Sequence, residues 1–126
     1  MDGETATNNA SDFQISPAYL DQMVEIMGQE RLCALIEKLI AETDLELSRA
    51  LGFLSAGQHR DAARIFHRLA GSTGALGAEQ ISLELQTVET MIISGDILEM
   101  AKFDRIQRLW SETRRSFEQW AETQTS

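Results

Sequence analysis

Ile65-Phe66-His67-Arg68-Leu69-Ala70-Gly71-Ser72-Thr73-Gly74-Ala75-Leu76-Gly77-Ala78 is the stretch from which the rest of the chain can be read. Phe66, Leu69, Thr73 and Leu76 recur every three or four residues. That spacing keeps side chains on one face of an α-helix and marks the face that turns to a core. His67 falls outside the stripe. Residues three, four and seven apart share a helical face, so Arg64, Arg68, Gly71 and Gly74 are expected around it. A histidine therefore stands on a polar face beside two arginines, with two glycines on the following turns. Each glycine costs a helix interior about 1 kcal/mol relative to alanine. Helix propensity does not explain the pair; close approach of another surface beside the histidine would.

Upstream, residues 1–12 are small and polar without periodicity and read as a disordered leader, leaving 13–126 as one domain. Ser16-Pro17 is a helix start, because serine caps free amides and proline fits the first helical position. A helix over about 17–27 is predicted to bury Tyr19 or Leu20, Met23 and Ile26 and to end at Gly28. It is short enough to be a cap over one end of a bundle. From about 30 to 55, Leu32, Leu35, Ile36, Leu39, Ile40, Thr43, Leu47, Ala50, Leu51 and Leu54 form a wide apolar stripe closed by Gly57. The histidine helix follows over about 58–75, and Gly77-Ala78 turns the chain. Ile81, Leu85, Val88 and Ile92 define a helix over about 79–94, closed by Gly95. Asp96 with Glu99 three residues later is a capping-box pattern opening a last helix over about 97–121. Leu98, Ala101, Leu109, Phe117 and Trp120 are expected on its inner side, interrupted by Arg105 and Thr113. The fold class is all-α: an up-down-up-down antiparallel four-helix bundle with a short N-terminal capping helix.

Composition supports one helical domain, with a single proline, 6% aromatic residues and 126 residues in all. A net charge of −9 argues against nucleic-acid binding, which needs a basic stripe to neutralise phosphates. No apolar run of about 18 residues and no signal-peptide pattern is present, so no membrane insertion is predicted and a cytoplasmic monomer is expected. The lone Cys33 lies between Leu32 and Leu35 and reads as a structural thiol. Two histidines and one cysteine do not make a zinc site, and no Glu-x-x-His pair is available for a di-metal centre. Gly71-Ser72-Thr73-Gly74 lacks the spacing and the following lysine of a phosphate-cradling loop, so no ATP binding is expected. Ser72 and His67 point to different sides of the helix, which excludes a serine nucleophile based by this histidine. His59 and the acidic run Glu42 to Glu46 read as solvated.

A second residue is brought to the histidine by hairpin arithmetic. His67 lies about ten residues before a turn at Gly77-Ala78, so its partner at the same height lies about ten to twelve residues after it, helices rising 1.5 Å per residue. Val88 belongs to the core stripe, whereas Glu89 lies about 100° round the helix, at the edge where it could meet an imidazole. Spacing alone leaves Glu89 equally readable as a solvated glutamate.

At His67, Leu69, Gly71, Ser72, Leu76, Gly77 and Ala78 the sequence resembles the histidine-containing phosphotransfer domains. Their signature is a histidine followed by a hydrophobic residue, a lysine, Gly-Ser-Ser or similar, and Leu-Gly-Ala. Ala70 departs from it, standing where the family usually carries lysine. The helix pattern extends the resemblance over roughly residues 16–121. The resemblance implies a four-helix bundle whose exposed His67 carries a phosphoryl group to or from the aspartate of response-regulator receiver domains, with a hybrid histidine kinase as a further partner. It implies that Glu89 hydrogen-bonds the ring, as glutamine or glutamate does in many members. The chain would need no cofactor of its own, Mg2+ belonging to the receiver domain, and would be a phosphocarrier, not an enzyme. Arg64 and Arg68 could supply the charge that the missing lysine would have given. Gly71 and Gly74 would let a receiver domain dock flat. The other reading is a phosphorylation-independent helical adaptor that binds receiver domains or kinases.

Overall fold

The computed structural model describes residues 14–96 and 100–125, all of whose regular structure is helical. The expected leader at 1–12, Leu98 and the Glu99 half of the capping box lie outside these residues. Helix α1 spans Pro17–Met27, α2 Gln29–Ser55, α3 His59–Ala75, α4 Glu79–Ile93 and α5 Met100–Thr125.

Helix α1 starts as its sequence demands. The Ser16 hydroxyl accepts the Tyr19 amide at 3.2 Å, and Pro17 takes the first helical position. Leu20 is fully buried, with Met23, Val24 and Met27 packed against the core, but Ile26 is 84% exposed. On a 100°-per-residue wheel, Ile26 sits about 120° from Leu20, outside the stripe that runs through 20, 23, 24 and 27. Its expected burial is therefore corrected. Tyr19 is also on the rim: its ring edge lies 2.8 Å from where a Cβ on Gly77 would stand, and its hydroxyl donates to the Ala75 carbonyl at 3.0 Å. Gly77, at φ 83, is thus doubly required, by left-handed backbone and by the tyrosine seated on it. These contacts set α1 on the α3–α4 turn.

In α2, Leu32, Ile36, Leu39, Thr43, Leu47 and Ala50 are buried at three- and four-residue steps, the repeat of a helix packed along its length. Leu35 is left partly exposed at the edge. Helix α5 obeys the same rule, with Phe117 and Trp120 inside as expected and the rest of the inner stripe shifted. Its buried residues are Phe103, Ile106, Trp110, Thr113, Ser116, Phe117 and Trp120. Ala101 is exposed and Leu109 only half-buried, so the inner stripe passes through the aromatic residues and not through those two. Thr113 does not interrupt it. Its hydroxyl donates to the Leu109 carbonyl at 2.7 Å, which removes the cost of burying it. Arg105 does lie outside, paired with Glu84 at 3.1 Å.

Around one core, α3 packs on α4 most closely, α2 packs on α3, α4 on α5, α2 on α5 and α1 on α2. Phe66 of α3 meets Phe103 of α5 with ring centroids 6.1 Å apart, across the middle of the core. Both tryptophan indoles find acceptors at the periphery, Trp110 on Asp44 at 2.8 Å and Trp120 on Asp21 at 3.2 Å. Among the described residues no helix is long and apolar enough to cross a membrane.

Candidate functional site

Burial of Ile65, Phe66, Leu69 and Thr73 fixes the rotation of α3 and turns His67 outward, its side chain 76% exposed. On α4, the fully buried Leu85 and Val88 fix the rotation in the same way and bring Glu89 to the edge facing α3. The His67 Nδ1 lies 3.0 Å from Glu89 Oε2 and 3.3 Å from Oε1. An ionised carboxylate can only accept, so Nδ1 is the donor in this contact, and in the neutral ring that tautomer leaves the lone pair on Nε2. Glu89 itself is only 19% exposed, so the solvent-facing ring is held from a nearly covered anchor.

The register that allows this contact is set one turn further along. The Ser82 hydroxyl of α4 donates to the Ala70 carbonyl of α3 at 2.7 Å. Gly74 leaves room for it: a Cβ there would stand 3.0 Å from Ser82 Oγ. Gly74 is therefore an α3–α4 packing residue, not part of an open docking face as its position on the wheel suggested. Its Cα lies on the side of α3 that the closest neighbouring helix covers. Gly71 does face open space, with nothing within 4 Å of an added Cβ. Ala70 is 5% exposed beneath the same interhelical contact.

The two arginines diverge. Arg64 is 72% exposed, its guanidinium 3.9 Å from the Asp61 carboxylate, and it lines the same groove as His67. Arg68 turns the other way, to the Glu46 carboxylate on α2. Glu46 was expected among solvated acidic residues; instead its side chain is 11% exposed and holds Arg49 at 2.7 Å as well as Arg68. It sits about 60° round α2 from Thr43, at the edge of the core-facing arc, where Arg68 covers it. Asp44 is engaged too, by Trp110 and Arg114. Ser72 donates to the Arg68 carbonyl at 3.1 Å, an ordinary back-bond within the helix.

A groove of about 650 Å³ opens beside His67, lined by His59, Arg60, Ala63, Arg64, Glu89, Ile92 and Ile93. Its rim is cationic in a chain whose net charge is −9, and Ile93 is 69% exposed at its end. His59, read as solvated, is indeed exposed but belongs to this groove. Ile92 and Ile93 were not singled out as site residues. Only the fold, which ends α4 at Ile93, shows that they overhang the N-terminal half of α3. Cys33 lies near the start of α2, half-buried, and burial followed by the Glu37 charge pushes its thiol pKa up, as befits an unreactive thiol. Among the described residues no group of three or more His, Cys, Asp or Glu side chains is assembled for a metal ion.

The chain matches no protein-family model, and neither a curated protein nor a solved structure is similar enough to it to count as a match.

Proposed function

We propose that the chain is a histidine phosphotransfer protein of a two-component relay, a cytoplasmic phosphocarrier serving receiver domains and a hybrid kinase. Its α2 to α5 would form an up-down-up-down antiparallel four-helix bundle, with α1 as the cap. The cyclic order of helix contacts and the short turns support that topology. One observation carries the functional reading: an exposed imidazole whose Nδ1 is 3.0 Å from a covered carboxylate, leaving Nε2 free over a cation-rimmed groove.

In the proposed step the Nε2 lone pair attacks the phosphorus of an aspartyl phosphate on the partner. The P–N bond forms as the P–O bond to the aspartate breaks, and the freed carboxylate stays with the receiver domain. The ring becomes an imidazolium, and Glu89 balances it through the retained Nδ1–H. Donation is the reverse. Arg64 is free to approach the equatorial phosphoryl oxygens, and any Mg2+ belongs to the receiver domain. The groove gives a partner of acidic rim a place to dock against Ile92 and Ile93. Incubation with a panel of phosphorylated receiver domains tests the reading: label should reach the protein from at least one of them and fail to reach His67→Gln.

Two observations favour the adaptor as a second reading. Ala70 is covered where a lysine would be needed, and Arg68 is engaged by Glu46. Receiver domains that bind the chain with equal affinity in wild type and His67→Gln, and never label it, would select that reading.

A further inference from the structure

The Glu46 cluster has a composition that plain stabilisation of the fold does not require. One nearly buried carboxylate holds two guanidiniums, Arg49 on Oε1 at 2.7 Å and Arg68 on Oε2. Arg68 is the residue next to His67, and its side chain is 57% exposed. It can therefore leave Glu46 by rotating through solvent, without opening the core. A buried carboxylate stripped of its only cation would be strongly destabilising. Here that cost does not arise, because Arg49 stays, held also over the Phe53 ring at 5.6 Å. The second arginine makes the first one loanable.

Resting on the phosphocarrier reading, we propose that Glu46 is a positioning residue for phosphoryl transfer at His67. It holds Arg68 against α2 while the imidazole is free and yields it to the phosphoryl oxygens once His67 is loaded. The competition is between two anions for one guanidinium: a monoanionic carboxylate that already has Arg49, and a phosphoryl group carrying nearly two charges. Arg68 thereby supplies, on loading only, the charge that Ala70 cannot. A guanidinium on those oxygens withdraws the electron density that expels imidazole, so it lengthens the life of the phosphorylated protein when no acceptor is present.

The test loads His67 with potassium phosphoramidate, which needs no protein partner. The P–N bond of the reagent breaks, ammonia leaves with a proton from water, and the new P–N bond forms at Nε2. Label lifetime is then followed in wild type, Glu46→Gln, Arg68→Ala and the double variant, with thermal melts alongside. Glu46→Gln, which frees Arg68 permanently, should lengthen the lifetime by about threefold, within the range of an exposed charge contact. Arg68→Ala should shorten it, and Glu46→Gln should add nothing in the Arg68→Ala background. An unchanged lifetime in Glu46→Gln, or an effect that persists without Arg68, overturns the proposal. Should Glu46→Gln fail to fold, the Arg68 guanidinium nitrogen resonances of the wild type decide: they must shift on loading, and resonances that stay in place overturn it. Failure of the wild type to take label at all would instead strike the phosphocarrier reading on which this one rests.

Discussion

The Ser82 hydroxyl lies 3.0 Å from the point that a Cβ on Gly74 would occupy, and it is tied there by its bond to the Ala70 carbonyl at 2.7 Å. Two glycines one turn apart on α3 thus serve different ends. Gly74→Ala gains about 1 kcal/mol of helix propensity but must displace Ser82 and break the buried interhelical bond from its hydroxyl to the Ala70 carbonyl, which costs about 1–3 kcal/mol. It should be destabilising by roughly 1 kcal/mol. Gly71→Ala meets nothing and should stabilise by about 0.5–1 kcal/mol. Chemical denaturation of the two variants checks this, and the same sign for both would refute the division of roles.

Glu89 fixes the ring but does not hold the fold together, since its partner is a largely exposed side chain. Glu89→Ala should leave stability within about 0.5 kcal/mol and slow phosphotransfer by about tenfold or more, through loss of ring orientation. Glu89→Gln still offers a carbonyl acceptor and should fall between. Transfer rates measured beside melting curves test the order wild type, glutamine, alanine.

Ile93 caps the groove at 69% exposure. Ile93→Glu should be nearly neutral for folding, within about 0.5 kcal/mol. It should weaken a partner with an acidic rim by about tenfold, through loss of an apolar anchor and like-charge repulsion. Titration of a cognate receiver domain would show the effect in Kd; equal affinity would move the docking surface elsewhere, with Gly71 the next region to probe.

Thr43 is fully buried in the α2 stripe, and its hydroxyl has no hydrogen-bond partner. An unsatisfied buried hydroxyl costs about 1–3 kcal/mol, so the isosteric Thr43→Val should raise stability by about 1 kcal/mol. A lower melting temperature in this variant would show that the hydroxyl has a role in the core.

Much of this was legible before any coordinates, and the exceptions share a cause. Helix ends carried by Ser16-Pro17, Gly28, Gly77 and Gly95 could be read because each depends on local chemistry. Glu89 could be found because the turn at Gly77 fixes the height of both arms and Val88 fixes the rotation of one. What failed depended on partners distant in sequence. Trp110 is buried with its indole N–H satisfied by Asp44, 66 positions away. Glu46 reads as solvent-facing until Arg68, 22 positions on, is seen to cover it. Gly74 looks like a free face until Ser82 is laid against it.

The central claim is that Nε2 of His67 is the phosphoryl carrier while Nδ1 faces Glu89. It is tested most directly by assigning the phosphorylated nitrogen with phosphorus-coupled NMR on protein labelled by a cognate phospho-receiver domain. The account predicts one phosphoryl group, on Nε2 of His67, with the Nδ1 proton retained and no label in His67→Gln. A phosphoryl group on Nδ1, on His59, or on no histidine at all would contradict it.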